Sequence, residues 1–461
     1  MTVEWTGRDV LVLGFGMSGR SAAAYCARQG ARVVVADERP AAAMPEAASL
    51  PPGVEGRFGR PFPDLERFDL VVPSPGIALA RYAGRAKRAW GDIELAAQAL
   101  AARGVPIVAV TGTNGKSTVV RLIEAMAQAA GLRAKAGGNI GVPALELLDA
   151  PLELAVLEVS SFQLESVETF RPCVAVLLNL SPDHYDRHGD MAGYLAAKAR
   201  IFARQGPGDH AVVNGDDAFA CSAPIPEGVE RLYFFRTDPT GTAPPERSAR
   251  ARAWIAGDGI ALRRGGRAET IPLADAPGLA LQRENVAAAA LALAALADTL
   301  PIDLARAAAA LPAFQGLPHR CVRVAERSGV VYYDDSKATN LGAAARSLET
   351  MTRPVVWIAG GRHKGADLAP LAASARGRVR VALLIGEAAP ELERALAGHV
   401  PCERVGELAK AVARAAELAR PGDAVLLAPA CSSFDQFRSF EDRGLQFVAA
   451  VKRLADSGSP T

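Results

Sequence analysis

The chain has 461 residues, and one hydrophobic core rarely serves more than ~250–300, so we expect several domains. Half of the residues are hydrophobic, 22% are charged and the net charge is +2, which excludes a disordered chain and gives no reason to expect a nucleic-acid partner. Six dispersed cysteines without a C-x-x-C pair argue against a disulfide framework or a zinc site and favour a reducing, cytoplasmic compartment. No signal-peptide pattern is visible, and we expect no membrane association. The longest apolar run, 286–297, is too short for a membrane span and is expected to form a buried Ala-rich helix.

Short runs rich in Val, Ile and Leu alternate along the chain with longer Ala- and Leu-rich segments. This pattern predicts an α/β fold of β-α-β units with mostly parallel sheets. The predicted strands, in chain order, are 10–13, 32–36, 70–72, 105–110, 154–159, 174–178, 211–213, 355–358, 381–385 and 424–427. The Gly- and Pro-rich section 206–277 is expected to form an antiparallel appendage or long loops. Breaks in the pattern predict three domains, which span residues 1–94, 95–316 and 317–461.

The first predicted strand runs into a glycine-rich turn, Gly14-Phe15-Gly16-Met17-Ser18-Gly19, which precedes a helix. Asp37 ends the next strand, so the segment matches the G-x-G-x-x-G fingerprint with a later acidic residue. The fingerprint alone suggests NAD, but the same turn binds other nucleotides and diphosphates. A nucleotide-diphosphate substrate therefore competes with a nicotinamide cofactor for this site.

The most informative stretch is the run from Thr111 to Thr118, Thr-Gly-Thr-Asn-Gly-Lys-Ser-Thr, which lies between a predicted strand and a helix predicted over 117–130. Glycines let backbone N–H groups approach an anion, and the helix N-terminus adds partial positive charge. Lys116 can reach terminal phosphates and Ser117 can hold Mg²⁺. Val110 stands where the usual G-x-x-x-x-G-K-[ST] pattern begins with Gly, so the loop is a shorter variant. It predicts a nucleoside triphosphate site.

Polar residues follow the next two predicted strands. Glu158 is expected at the carboxyl end of its strand, where it would share Mg²⁺ with Ser117 and the phosphates. His184 follows the next strand, which we expect to neighbour that of Glu158, and it suits a second metal or a substrate contact. His188 is expected to be an ordinary loop residue. Lys198 lies on a helix predicted over 194–204, and a free ammonium there would be repelled by Mg²⁺.

Segments spread over nearly the whole chain resemble the Mur ligases. The segments that carry the resemblance are 74–78, 91–95, 111–118, 137–141, 157–163, 183–187, 316–320, 335–340, 429–437 and 440–444. Two of them, Asp-Ser-Lys-Ala-Thr-Asn at 335–340 and Ala-Cys-Ser-Ser-Phe-Asp-Gln-Phe within 429–437, resemble the D-glutamate-adding branch of the family.

The resemblance implies a Rossmann-like N-terminal domain for a UDP-sugar, a central P-loop-type ATPase domain and a Rossmann-like C-terminal domain for an amino acid. It implies ATP-dependent ligation of D-glutamate to UDP-N-acetylmuramoyl-L-alanine through an acyl phosphate, in cytoplasmic peptidoglycan precursor synthesis. The enzyme would use two Mg²⁺ ions and act as a monomer, without a nucleic-acid or membrane partner. The first glycine-rich loop would then hold a diphosphate rather than NAD.

The resemblance also implies the site residues. The UDP-sugar contacts would be Gly14, Phe15, Gly16, Met17, Ser18, Asp37, Glu38, Arg39, Ser74, Asn139 and His184. The ATP contacts would be Gly112, Thr113, Asn114, Gly115, Lys116, Ser117, Thr118, Asn285, Arg320 and Asp335. The D-glutamate contacts would be Lys337, Thr339, Ser433, Phe434 and Phe440. The catalytic residues would be Lys116, Glu158, His184 and Lys198, and the Mg²⁺ ligands Ser117, Glu158, His184 and Lys198 as a carbamate.

One family motif is altered. Where Mur ligases usually carry Gly-x-His-Asn-x-x-Asn, this chain keeps Asn285 but has Gln282, Glu284 and Ala288 in place of the other three residues. We therefore expect different adenine contacts. Three alternatives stay open: another Mur-type or folylpolyglutamate-type amide ligase, an NAD-dependent oxidoreductase with an incidental Gly-Lys-Ser turn, and a nucleotide-binding regulatory module without catalysis.

Overall fold

The computed structural model describes residues 4–240, 251–264, 267–273, 279, 281–297 and 299–454. Within them the strands form three sheets of four, nine and six strands, and most neighbouring strands are parallel. The predicted α/β class and mostly parallel sheets are confirmed. None of the described helices combines the length and the apolar character needed to cross a bilayer.

The first sheet is entirely parallel, in the order β3-β2-β1-β4. Its strands are β1 (Asp9–Leu13), β2 (Arg32–Asp37), β3 (Glu55–Phe58) and β4 (Leu70–Pro73). Helix α1 (Met17–Arg28) connects β1 to β2. Three short 3₁₀ turns (Ala41–Ala43, Pro45–Ser49 and Leu65–Arg67) lie between β2 and β4, and a fourth, Leu79–Arg81, follows β4. The glycine-rich turn and Asp37 therefore meet at the carboxyl ends of adjacent parallel strands.

The second sheet has the order β13-β12-β11-β10-β9-β8-β5-β7-β6. Its strands are β5 (Ile107–Thr111), β6 (Ala134–Gly138), β7 (Leu154–Glu158), β8 (Val174–Leu177), β9 (His210–Asn214), β10 (Glu230–Phe235), β11 (Ala251–Ala256), β12 (Gly259–Arg264) and β13 (Arg267–Pro272). Its helices are α2 (Asp92–Ala102), α3 (Lys116–Ala129), α4 (Ser161–Leu164), α5 (Tyr185–His188), α6 (Met191–Ala199), α7 (Ala218–Cys221), α8 (Arg283–Leu296) and α9 (Leu304–Ala308), with a 3₁₀ turn at Ala144–Asp149.

Two expectations for this sheet were wrong. The strand before His184, β8, does not neighbour β7, because β5 lies between them. The section 206–277 is not simply an antiparallel appendage: β9, β10 and β11 continue the parallel sheet, and only β12 and β13 are antiparallel. Strand β10 was not predicted, because Gly- and Pro-rich connections surround it, but it is buried over Leu232–Phe235. Residues 241–250, 265–266 and 274–278 of this section lie outside the described residues.

The alanine-rich run 286–297 was expected to be a buried helix, and α8 confirms this. Nearly all of its Ala and Leu side chains are buried. Small side chains let the helix pack closely, and α8 contacts both α3 and the strands of the sheet. The helix that carries the phosphate loop thus rests on a tightly packed neighbour.

The third sheet has the order β14-β15-β19-β16-β17-β18 and is parallel except for the β14–β15 hairpin. Its strands are β14 (Val322–Arg327), β15 (Val330–Asp334), β16 (Val355–Gly360), β17 (Val379–Ile385), β18 (Cys402–Gly406) and β19 (Ala424–Leu427). Its helices are α10 (Leu341–Thr350), α11 (Ala369–Ala375), α12 (Ala389–Leu396), α13 (Leu408–Leu418) and α14 (Phe440–Arg453).

The chain divides into two compact units, one with the first two sheets and one with the third. The break after Phe314 lies close to the expected boundary at 316. The three sheets match the expected three-domain architecture, while the exact boundaries at residues 94 and 316 stay predictions.

Candidate functional site

The phosphate loop links β5 to α3 in a conformation that only glycine tolerates at two positions. Gly112 and Gly115 have φ of 148° and 88°, a region that residues with a Cβ rarely adopt. A Cβ at Gly115 would also lie 2.6 Å from Asn285 Oδ1, and one at Gly112 would lie 3.0 Å from Leu178 Cβ. The loop therefore packs closely against α8 and the residue that follows β8, and it lies at the N-terminus of α3, where an anion would be stabilised.

Two lysines converge on this loop. Lys116 Nζ donates to the carbonyl oxygens of Gly112 and Thr113, both at 2.9 Å. Lys198 Nζ donates to the same Gly112 oxygen at 2.9 Å and lies 4.6 Å from the centroid of the Tyr194 ring, although Lys198 is only 1% exposed. The two Nζ atoms thus share one acceptor on the loop, and Lys116 brings positive charge to it, which suits a triphosphate.

Three adjacent strands deliver the polar residues around the loop. Because β5 lies between β7 and β8, Glu158 and Asn179 flank the loop on opposite sides. Asn114 N–H donates to Asn179 Oδ1 at 2.9 Å, and Asn179 Nδ2 returns a bond to Asn114 O at 3.0 Å. This reciprocal pair fixes the tip of the loop.

Glu158 has the properties of a cation ligand. It is 3% exposed, its Oε1 accepts from Asn139 Nδ2 at 2.9 Å, and its Oε2 is buried without a hydrogen-bond partner. A buried carboxylate oxygen without a donor is costly unless a cation or ligand satisfies it. Ser117, on the first turn of α3, offers a second oxygen beside the phosphate loop.

The expected Mg²⁺ sites stay predictions. Among the described residues, no group of three or more His, Cys, Asp or Glu side chains is arranged to hold a metal ion. A Mg²⁺ ion at Glu158 and Ser117 would need phosphate oxygens to complete its shell. Lys198 as an amine donates hydrogen bonds and does not fit a metal, so a second ion requires the carbamate.

His184 has a left-handed backbone, with φ of 55°, at the start of α5. Its ring lies 4.8 Å from the Phe162 ring and 6.3 Å from the Tyr194 ring, centroid to centroid. Phe162 follows Glu158 along the chain, and Tyr194 lies one turn before Lys198. The aromatic contacts thus place His184 in the same cluster as the two predicted catalytic residues.

His188 was expected to be an ordinary loop residue, and it lies inside this cluster. Its Nε2 is 3.0 Å from Ser161 Oγ, and burial lowers its pKa while Glu165 opposes the shift. Arg187 stacks on Phe162 at 4.6 Å and bonds both Glu165 and the carbonyl of Ile77. The loop that carries His184 is therefore tied to the segment after β4 that begins at Ser74.

The altered motif lies at the start of α8. Asn285 approaches the phosphate loop, as its distance from Gly115 shows. Glu284, which replaces the usual His, accepts from Asn214 Nδ2 at 2.8 Å, and Ala288 is fully buried. Glu284 thus bonds the end of β9 and Ala288 lies in the core, while Asn285 approaches the loop.

The first glycine-rich loop is shaped by contacts with β2 and β4. A Cβ at Gly19 would lie 2.0 Å from Gly14 O, so the helix can approach the loop only with glycine there. Ser74 Oγ donates to Gly14 O at 3.0 Å. Phe15 is fully buried beside Phe58, so only its backbone can contact a ligand, whereas Met17 is 58% exposed.

Asp37 holds this loop in place. Its carboxylate accepts from the Phe15 N–H at 2.9 Å and from Arg39 Nη2 at 2.7 Å. Burial alone would raise the pKa of Asp37, but the hydrogen bonds from Arg39 and from backbone N–H groups outweigh it and lower the pKa to about 2. Glu38 is exposed and paired with Arg81.

In the second unit, Asp335 follows β15 and is 8% exposed. It accepts from the Cys321 N–H at 3.1 Å and from the Ser347 hydroxyl. Burial raises the pKa of Asp335 to about 6, although Ser347 and Arg320 oppose the shift. The predicted roles of Arg320 and Asp335 at ATP stay predictions, because they belong to the unit without the phosphate loop.

The predicted amino-acid residues cluster at one end of the third sheet. Lys337 Nζ lies 3.8 Å from the centroid of the Phe440 ring, and Ser336 Oγ donates to Phe440 O at 2.8 Å. Ser433 is 2% exposed, and Phe434 is 66% exposed. A lysine and a hydroxyl beside aromatic rings suit an amino acid with two carboxylates.

Several site residues were missed by sequence reasoning. Asp92 is buried, bonds Ser18, and accepts from Gln163 Nε2 at 3.0 Å, so it links the first glycine-rich loop to the segment after Glu158. Asn179, Tyr194 and Arg187 were also missed. A signal for Asn179 was available, because a polar residue directly follows a predicted strand beside the phosphate loop.

Comparison with protein families gives three matches along the chain. The Mur ligase MurD-like N-terminal domain matches residues 8–92, the Mur ligase middle domain matches 110–235, and the Mur ligase glutamate ligase domain matches 319–431. The matches fall in turn on the first, second and third sheets.

Full-length relatives agree with these matches. The chain is 43% identical to a UDP-N-acetylmuramoylalanine–D-glutamate ligase of Aromatoleum aromaticum, with 98% of each chain covered. It is equally 43% identical to the ligase of the same name from Anaeromyxobacter dehalogenans, again with 98% of each covered. Among solved structures, the UDP-N-acetylmuramate-alanine ligase MurC of Thermotoga maritima has the same fold, with a TM-score of 0.57, 17% identity, and coverage of 96% of this chain and 99% of that one.

Proposed function

The chain belongs to the Mur ligase family, and from this membership we propose that it joins D-glutamate to UDP-N-acetylmuramoyl-L-alanine at the expense of ATP. The observation that carries the proposal is Lys116 on the phosphate loop, together with the buried carboxylate of Glu158, which has one unpartnered oxygen. That arrangement suits transfer of a phosphoryl group between two anions. The full-length relatives supply the proposed substrates.

The proposed reaction has two steps. A carboxylate oxygen of the L-alanyl group attacks the γ-phosphorus of ATP, and ADP leaves, which gives an acyl phosphate. The deprotonated amine of D-glutamate then attacks the acyl carbon, an amide bond forms, and inorganic phosphate leaves. The first step is the harder one electrostatically, because both reactants are negatively charged.

The residues of the chain offset this repulsion. Lys116 and the N-terminus of α3 stabilise the phosphate groups, and the Asn114–Asn179 pair keeps the loop in one conformation. Ser74, Asp37 and Asp92 hold the first glycine-rich loop, which we assign to the diphosphate of the UDP-sugar. Mg²⁺, when bound at Ser117 and Glu158, would neutralise phosphate charge.

The remaining assignments are also part of the proposal. We propose a cytoplasmic enzyme, because six free cysteines suit a reducing compartment. We propose that it acts as a monomer, as the family resemblance implies. His184 is the candidate group that receives a proton from the incoming amine.

A direct assay tests the proposal. The purified protein is given ATP, Mg²⁺ and UDP-N-acetylmuramoyl-L-alanine, and phosphate release is measured with a panel of D- and L-amino acids. We expect phosphate release with D-glutamate, and a product heavier than the donor by one glutamyl residue. No ATP consumption with D-glutamate would overturn it.

A further inference from the structure

Arg443, on α14, is an arginine with no exposed surface. Its Nε donates to Ser336 Oγ at 3.0 Å and its Nη2 to Ser336 O at 2.9 Å. Both Nη atoms donate to Cys431 O at 3.2 Å, and Nη1 also reaches Ser432 O at 3.5 Å and Gly360 O at 3.4 Å. These partners are carbonyl and hydroxyl oxygens on three separate segments of the chain.

Those segments lie at the carboxyl ends of three neighbouring strands. Ser336 follows β15, Cys431 and Ser432 follow β19, and Gly360 ends β16. The order β15-β19-β16 places all three ends side by side. In open parallel sheets this edge is where ligands bind.

Two of these segments adjoin a residue assigned to D-glutamate, and Arg443 itself lies close to a third such residue on its helix. Ser336 precedes Lys337, Ser432 precedes Ser433, and Arg443 lies one turn after Phe440 on the same helix. Phe440 belongs to the same hydrogen-bond network, because the Ser336 hydroxyl donates to Phe440 O. One guanidinium group is therefore bonded to the backbone beside each of these contacts, while its complete burial keeps it from touching the amino acid.

Stability alone does not explain this arrangement. Burial lowers the pKa of Arg443 to about 10, so the group still carries its charge at neutral pH among neutral acceptors. Buried charges are expensive, and apolar residues of similar volume often pack as well or better. The planar guanidinium group, however, is a rigid fork of five N–H donors that can hold several loops in one geometry. A single ammonium group cannot do this.

We propose that Arg443 is a positioning residue for the amino-acid site, which sets the spacing of Lys337, Ser433 and Phe440 so that they match D-glutamate. This inference rests on the proposed function. It predicts that loss of the fork impairs recognition of D-glutamate and leaves recognition of ATP unchanged.

The test uses the full-length enzyme with the variants Arg443→Lys and Ser336→Ala. The matched control is Arg380→Lys, because Arg380 lies at the opposite, amino end of the same sheet and bonds Asp423 at 2.9 Å. Steady-state KM for D-glutamate, KM for ATP, kcat and Tm are measured for each. We expect Arg443→Lys to raise KM for D-glutamate at least tenfold with KM for ATP within twofold. Ser336→Ala should raise KM for D-glutamate about threefold or more, and Arg380→Lys should leave both constants within twofold.

A purely structural role would lower Tm and kcat through loss of folded enzyme and would leave KM for D-glutamate unchanged. That result for Arg443→Lys overturns the inference. If Arg443→Lys does not fold, an unchanged KM in Ser336→Ala overturns it instead. Failure of the wild-type enzyme to use D-glutamate removes the proposed function and the inference together, whereas normal wild-type turnover with unchanged variant constants removes the inference alone.

Discussion

Beside the phosphate loop, a side chain of a type that is ordinarily charged is buried. Lys198 is 1% exposed, yet its amine donates to the Gly112 carbonyl and lies over the Tyr194 ring. A lysine in these surroundings can have one of two roles. It can stabilise the loop as an ammonium group, or it can react with carbon dioxide. In the second case the neutral amine attacks the carbon of CO₂ and loses a proton, which turns a cation into an oxygen-bearing anion.

We predict that Lys198 is carbamylated in the active enzyme, as the family resemblance implies. Lys198→Ala should lose at least 100-fold in kcat, and added short-chain carboxylates such as acetate should restore part of it. Enzyme labelled with ¹³C-bicarbonate should show a carbamate signal in ¹³C NMR that Lys198→Ala lacks. The exposed Lys452 is the control, since Lys452→Ala should keep both signal and turnover. Wild-type-like turnover by Lys198→Ala without added carboxylates would contradict the prediction.

Asp37 gives a prediction about pH. Its pKa is lowered to about 2 in the folded protein from an ordinary value of 3.8, so its contribution is present above pH 4 and is lost as the pH falls toward 2. The shift corresponds to about 2 kcal/mol. When the pH is lowered from 4 to 2, the unfolding free energy of the wild type should therefore fall by roughly this amount more than that of Asp37→Asn. Urea denaturation at each pH measures both values. Glu66→Gln, at an exposed carboxylate, should keep the wild-type pH dependence.

Among secondary-structure elements, α2 has a role that its sequence does not reveal. Glu94 is fully buried and accepts hydrogen bonds from the backbone N–H groups of Glu168, Thr169 and Phe170, and from the Thr169 hydroxyl. One carboxylate thus fixes the turn that follows α4, next to the segment of Glu158.

Glu94→Ala should lower the free energy of unfolding by about 3 kcal/mol, because it leaves three backbone N–H groups, one buried and two part-buried, without their acceptor. Thermal and urea unfolding measure the loss. Glu146→Ala is the matched control, since Glu146 is exposed, and it should change stability by less than ~0.5 kcal/mol. Equal losses in the two variants would show that Glu94 has no such role.

Elements were predicted well where their signals were local. Each of the ten predicted strands corresponds to an observed strand, because buried parallel strands form continuous apolar runs. The β14–β15 hairpin was missed, although its turn is Ser328-Gly329, a Ser-Gly pair that marks turns in sequences. Both residues have the positive φ, 50° and 75°, that such a two-residue turn needs. The capping box formed by Ser160 and Gln163 was also missed, because α4 has only four residues.

At the scale of the whole molecule, the two glycine-rich loops stand on different sheets. Gly14 to Gly19 follow β1 of the first sheet, and Gly112 to Lys116 follow β5 of the second. Each loop is held by its own neighbours, Asp37 and Ser74 in one case and Asn179 in the other. Binding at the first loop should therefore not require the lysine of the second.

Lys116→Ala tests this separation. Acyl-phosphate formation, followed as phosphate release, should fall at least 1,000-fold, because the lysine stabilises charge that develops during transfer. The Kd for UDP-N-acetylmuramoyl-L-alanine, measured by calorimetry without ATP, should stay within threefold of wild type. A collapse of this affinity would show that the two loops form one site and would count against the assignment.

The sequence by itself determined the fold class, the two glycine-rich loops, and the strand ends that carry Asp37 and Glu158, because these depend on local periodicity and on glycines that neighbour each other in the chain. Only the tertiary structure decided that β5 lies between β7 and β8, that Lys116 and Lys198 share the Gly112 carbonyl, and that Arg443 joins three strand ends. The physical reason is that strand order and the convergence of side chains depend on contacts between residues up to about a hundred positions apart. The local pattern of residues along the chain does not specify which distant residues make those contacts.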